Sequence, residues 1–442
     1  MSKLRDKLNY LEKDKIKKKW ETIDKQNGLS TREKLEKLVN LSLKREKSQK
    51  EKDLGSPAQK PVDVSIPPRM DNKGAFTLRE FIYPLNSVFG RFELSEWKNI
   101  SSRQLAVIFG DEDYETISPM KLLFFDTETT GLAGGTGTIA FMLGFGFFVE
   151  ESFRVYIFLL DDLYKEDVFL NEVDRFLESH DFSGIVTYNG KSFDFPLLEA
   201  RYILQRKRFP LLKLPHLDFL FPARTLWKHT YESRNLGHLG DLLLGLSRDD
   251  DVDASQIPGM YFNYLRSRSF FSIEKVAAHN ALDLVGLAAL VLLAIKYQED
   301  IAFTRDEGEI LGTAKLYEKY GDFDKALQLY EFLKKSAVRE EIVTKAVKSL
   351  AVIKKKKQLY QEAVQLWEFL SHADANDRLA VRELSIYFEH REKNYVKALE
   401  YVRKGLDSME LTDPQQQDFE KRLKRLTRKI EALDKEEQGR EA

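Results

Sequence analysis

The stretch Phe124-Phe125-Asp126-Thr127-Glu128-Thr129-Thr130-Gly131-Leu132 decides how this chain is read. The apolar run Leu122–Phe125 leads directly into two carboxylates separated by one residue. So short a run, dense in aromatic and aliphatic side chains, is expected to form a buried central strand. Side chains alternate along a strand, which puts Asp126 and Glu128 on one face. Two acids side by side at the end of a buried strand repel each other. A hard cation with oxygen ligands, Mg²⁺ or Mn²⁺, relieves that repulsion. A solvated acidic turn is the plainer alternative.

Around this stretch the chain is long enough, at 442 residues, for two or three domains, with 43% hydrophobic and 12% aromatic residues. It has no cysteine, which excludes disulfides and thiolate metal sites and suits a cytoplasmic location. The Lys-rich start lacks the apolar segment of a secretory signal, and the run Leu284–Ile295 is too short to span a bilayer, so no membrane role is expected. Residues 1–55 carry 17 Lys and Arg against ten Asp and Glu, whereas 119–300 carry 18 against 25. An acidic domain holds a polyanion only with metals or local basic patches.

Residues 1–74 read as a charged arm followed by a Pro-containing linker, and 75–118 as an aromatic-rich segment packed on the edge of the next domain. The arm is either a solvated helix or a basic contact to nucleic acid. From 119 to 300, three strands and then alternating helices and strands predict a mixed α/β sheet flanked by helices. From 305 to 442 the chain reads as all-helical and repetitive. Phe323-Asp324-Lys325-Ala326, Tyr360-Gln361-Glu362-Ala363 and Tyr395-Val396-Lys397-Ala398 recur at offsets of 37 and 35. An aromatic and a small Ala opening a helix resemble the second helix of a tetratricopeptide-like unit.

Two further stretches complete the acidic pair. In Tyr188-Asn189-Gly190-Lys191-Ser192-Phe193-Asp194, the Asn-Gly turn follows a short strand and Asp194 opens a helix. In His279-Asn280-Ala281-Leu282-Asp283, the His and the Asp are one helical turn apart on one face. Each alone has a bland reading, as a helix start or a solvated face. Together they are the set that two-metal phosphodiester hydrolysis uses, with a His able to take a proton near neutral pH.

On these residues the chain resembles the DEDD-type 3′→5′ exonucleases of the ribonuclease H-like superfamily. Asp126-Thr127-Glu128 looks like the first exonuclease motif, Asn189 through Phe193-Asp194 like the second, and His279 to Asp283 like the third. The extension Gly131–Thr138, with Asp218, Ala223–Trp227 and Ile257-Pro258, resembles the bacterial YprB-like branch, which pairs the nuclease domain with tetratricopeptide-like repeats. The resemblance implies a ribonuclease H-like fold with two Mg²⁺ or Mn²⁺ ions held by Asp126, Glu128, Asp194 and Asp283. It implies His279 as general base, and Thr127, Asn189, Lys191, Phe193 and Arg224 as residues near the substrate. The His-to-Asp spacing is four, that of the Tyr-containing subgroup rather than the five of the His-containing one.

The glycines of 131–137 lack a Walker A ending, which argues against nucleotide triphosphate binding. Arg201, Arg206, Lys207, Arg208 and Lys213 surround the second motif's helix, and Arg224, Lys228 and Arg234 follow with Trp227 and Tyr231 interleaved. That mixture suits a single strand with stacked bases, or else a solvated face over core aromatics. The expectation is a metal-dependent exonuclease acting on single-stranded 3′ ends, DNA before RNA. Its repeats would dock a protein partner, a helicase being one candidate. An inactive nuclease-fold scaffold and an RNA-directed nuclease are the rivals.

Overall fold

The computed structural model describes residues 64–70, 74–131, 137–246, 252–304, 306–374, 377–408 and 412–441. The N-terminal arm before residue 64 and the Gly-rich segment at 132–136 lie outside them. A seven-stranded sheet is formed by β1 (Val64–Met70), β2 (Phe76–Pro84), β3 (Leu122–Thr129), β4 (Ala140–Val149), β5 (Ser152–Leu160), β6 (Gly184–Thr187) and β7 (His216–Asp218). Its order is β1-β2-β5-β4-β3-β6-β7. The first five are antiparallel neighbours, while β3–β6 and β6–β7 are parallel. This is the expected mixed sheet flanked by helices, widened by two strands. Residues 64–70, expected as linker, pair with β2 despite Pro67-Pro68, because the register shift between Ile66 and Arg69 absorbs the prolines.

The alternation along β3 builds two cores. Leu122 and Phe124 pack with α6 (Glu274–Glu299). Leu123 and Phe125 pack with α2 (Glu166–Glu178) and α3 (Asp194–Leu204). Helix α6 is apolar on nearly every side and buried over most of its length, as a helix covered all round must be. By length and composition alone it could cross a membrane, but most of its apolar stretch is covered by the rest of the fold.

Small residues let α6 approach the sheet. Gly144 stands opposite Asp126 across the β3–β4 ladder. A Cβ there would meet Asn280 Oδ1 at 1.9 Å and Leu284 Cδ1 at 2.7 Å.

Other helices of this half include α1 (Ser102–Phe109), α4 (Leu220–Leu226) and α5 (Ile257–Ser267). An all-helical C-terminal region follows: α7 (Glu307–Tyr320), α8 (Phe323–Ser336), α9 (Glu340–Lys356), α10 (Tyr360–Ala373), α11 (Arg378–His390), α12 (Tyr395–Ser408) and α13 (Asp413–Glu441). The three recurring aromatics are the first residues of α8, α10 and α12, and Ala326, Ala363 and Ala398 are fully buried. The described chain forms two compact units, divided between Leu366 and Trp367. In the first, Gly312 of α7 sits against the Leu226 backbone of α4, where a Cβ would come within 2.5 Å. In the second, Glu389 is fully buried and accepts two hydrogen bonds from Arg425, at 2.7 and 2.6 Å, and one from Lys429 at 3.1 Å.

Two outcomes follow. Gly144→Ala forces Asn280 and α6 from the sheet and is expected to cost about 1–3 kcal/mol, an overpacking effect. A denaturation midpoint equal to the parent's would show that α6 yields without cost. Burial pushes the Glu389 carboxyl up, but the Arg425 and Lys429 hydrogen bonds overcome this and hold it at about 2, below its ordinary 4.5. Its contribution is therefore complete above pH ~4.5 and lost as pH falls toward about 2. Amide protection in α11 and α13 should exceed that of Glu389→Gln at pH 6 and converge with it near pH 2. A gap that persists in acid would contradict this linkage.

Candidate functional site

The site is assembled where three elements end or pass. Asp126 and Glu128 leave β3 on the face covered by α6. Thr127 points to the other face, toward α3, and its hydroxyl donates to Asp194 Oδ1 at 2.5 Å. Asp194 is buried at the first position of α3. From α6, His279 Nε2 lies 3.1 Å from Asp283 Oδ2, and Asn280 Nδ2 donates to Asp126 Oδ2 at 2.7 Å.

The electrostatics show that the acids share one neighbourhood. Burial, then repulsion by Asp194, Glu128 and Asp283, pushes the Asp126 carboxyl well above its ordinary range. Glu128 is pushed up to about 7 by burial, against the pull of His279 and with repulsion from Asp283 and Asp194. Asp194 is raised to about 6, by burial first, while the Thr127 hydrogen bond opposes the rise. An all-oxygen, mutually repelling set of this kind suits a hard divalent cation. Among the described residues no three of these side chains already stand as a ligand set. Thr127 engages Asp194, Asn280 engages Asp126 and Glu128, and His279 lies against Asp283 and also draws on Glu128.

The loop before Asp194 is built from β6. Asn189 takes the left-handed conformation, φ 70°, which Asn tolerates. Gly190 passes so close to Thr187 that a Cβ would sit 2.6 Å from its side chain. Buried Asp218, at the end of β7, accepts from the Asn189 N–H at 2.7 Å, the Lys191 N–H at 3.1 Å and the Leu220 N–H at 3.1 Å. This loop holds Lys191 and Phe193 in solvent beside Asp194, with Phe193 60% exposed.

Of the expected substrate-side residues, Lys191, Phe193 and Arg224 are exposed, whereas Thr127 spends its hydroxyl on Asp194. Asn189 serves the turn through its backbone. Trp227 is fully buried and packs against Tyr297, so it is a core aromatic rather than a stacking surface. Arg201 is committed to Glu166, and Lys207 to Asn171 and Asp174. Asn280 and the anchoring role of Asp218 escaped sequence reasoning. The one available signal for Asn280 was an amide between His279 and Asp283 in an otherwise apolar helix.

Fold and site together define a protein built on a ribonuclease H-like domain, and residues 123–295 match the ribonuclease H superfamily. The superfamily suggests nuclease-type activity. Over 364 residues, a span longer than this domain, the chain is 32% identical to the uncharacterized protein YprB of Bacillus subtilis (strain 168), covering 80% of this chain and 86% of that protein. The chain belongs to the YprB family.

Removing one charge from mutually repelling acids stabilises the protein when no cation is present. Asp126→Asn retains an oxygen for Asn280 and should melt higher than the parent in chelator. A lower melting temperature would mean that this carboxylate is held by favourable contacts rather than strained by its neighbours.

Proposed function

We propose that the protein is a metal-dependent 3′→5′ exonuclease. The reading is carried by the clustering of Asp126, Glu128, Asp194 and Asp283, from three separate elements, with His279 between Glu128 and Asp283. The four carboxylates would hold two Mg²⁺ or Mn²⁺ ions. Such ions, when bound, activate water and stabilise the leaving oxygen of a phosphodiester. His279, held 3.1 Å from Asp283, accepts the proton of the attacking water. Thr127 and Asn280 orient Asp194 and Asp126, while Asp218 fixes the loop that presents Asp194. Lys191 and Arg224 hold phosphates and Phe193 faces a base.

DNA single strands are the favoured substrate. The C-terminal helices, read as tetratricopeptide-like repeats, would dock a protein partner such as a helicase that supplies unwound strand.

Labelled DNA and RNA, single- and double-stranded, should be incubated with Mg²⁺ or Mn²⁺ and with chelator. A 5′-labelled single strand should shorten stepwise from its 3′ end, only with the cation. Asp194→Asn should abolish shortening, and His279→Ala should slow it about 10²- to 10⁴-fold while cation affinity changes little. Internal cuts, or hydrolysis that survives Asp194→Asn, would overturn the proposal.

A further inference from the structure

Helix α4 has an inner and an outer face. Leu226 and the following Trp227 are buried, toward α7 and α6. Phe221, 49% exposed, and Arg224 lie one turn apart on the outer face, and Lys228 follows in the turn beyond. The helix starts where Asp218 anchors the Asn189–Lys191 loop, since Asp218 also accepts from the Leu220 N–H. The outer face therefore begins beside Lys191 and Phe193. Arg224 and Arg234 both act on the Tyr188 hydroxyl, which ties this flank to the same loop.

Lys191, Arg224 and Lys228 make no ion pair among the described residues, although acids outnumber bases between 119 and 300. Past Lys228 the chain reaches α9. The Arg339 guanidinium donates to the His229 carbonyl at 2.8 Å, and Lys345 Nζ lies 3.3 Å from His229 Nδ1. Arg339 and Lys345 also pair with Asp306 and Glu341, so they extend the positive strip more weakly.

From this placement we infer that a single-stranded nucleic acid leaves the acidic site over Phe193, crosses Phe221 and Arg224 on α4 and Lys228 in the turn beyond, and runs onto the start of α9. Two exposed aromatic faces set among cations that have no ion pair among the described residues suit unstacked bases joined by phosphates, since an acidic protein surface would use the cations but leave the aromatic faces without stacking partners. The first helices of the C-terminal region then serve the substrate directly. The strand's direction rests on the exonuclease reading; the surface itself does not.

Binding of fluorescent ~12-nucleotide single strands, within the usual site sizes, is measured by anisotropy on the full chain in chelator. A duplex of the same length and an RNA strand are the other arms. Phe221→Ala should bind single strands about 5- to 150-fold more weakly. The Arg224→Gln/Lys228→Gln pair should reduce the slope of log affinity against log salt by about 1.4, or ~0.7 for each lost phosphate contact. DNA and RNA losses alike indicate backbone-and-stacking recognition, and a loss with one only assigns the sugar. Should the pair fold poorly, exposed Lys228→Gln alone reads half the slope change. Binding in chelator does not require the cation, so a failed metal site leaves this result standing. Equal affinities and slopes in parent and variants, preference for duplex, or no binding by the parent overturns the path.

Discussion

Four carboxylates sharing one poorly solvated corner are the constraint on which the rest of the structure depends. Two unit charges ~4 Å apart repel by about 4 kcal/mol at an effective dielectric near 20. A fold does not gather such groups without compensation. Here β3, α3 and α6 are rigid, buried elements, and each contributes its acids at a point fixed by packing. The compensation inside the protein is partial: Thr127 and Asn280 donate hydrogen bonds, and His279 pairs with Asp283. The raised carboxyls of Asp126, Glu128 and Asp194 show that a cost remains.

The period of two along β3 connects this corner to both cores. One residue out of register would exchange Asp126 and Glu128 for Thr127 and turn both acids away from α6. Gly144 serves the same end from the neighbouring strand, since its missing side chain is what brings Asn280 to Asp126. The core and the site are thus specified by the same alternation. The parallel pairing of β3 with β6 then brings the Asn189–Lys191 loop to the end of β3, and Asp218 locks it.

What could be read in advance divides along physical lines. The pattern Leu122–Glu128 is local, and its strand, its alternation and the sharing of a face by His279 and Asp283 follow from periods of two and 3.6. The three aromatic-to-Ala repeats likewise fall at helix starts. Pairing of β1 and β2 with β5 is non-local, and prolines at 67 and 68 argued against a strand until the register shift absorbed them. Trp227 and Phe221 are both aromatics among cations, and only the packing of α4 shows which is core and which is surface. The anchoring role of Asp218 was not visible because two of its three backbone N–H partners lie 27 and 29 residues away.

The central claim is that these acids form one divalent-cation site, and calorimetric titration of the full chain with Mn²⁺ tests it most directly. The account predicts saturable binding of two ions by the parent, with at least one ion lost in both Glu128→Gln and Asp283→Asn, since each carboxylate comes from a different element of the same cluster. Binding that is absent in the parent, or unchanged in both variants, would contradict it.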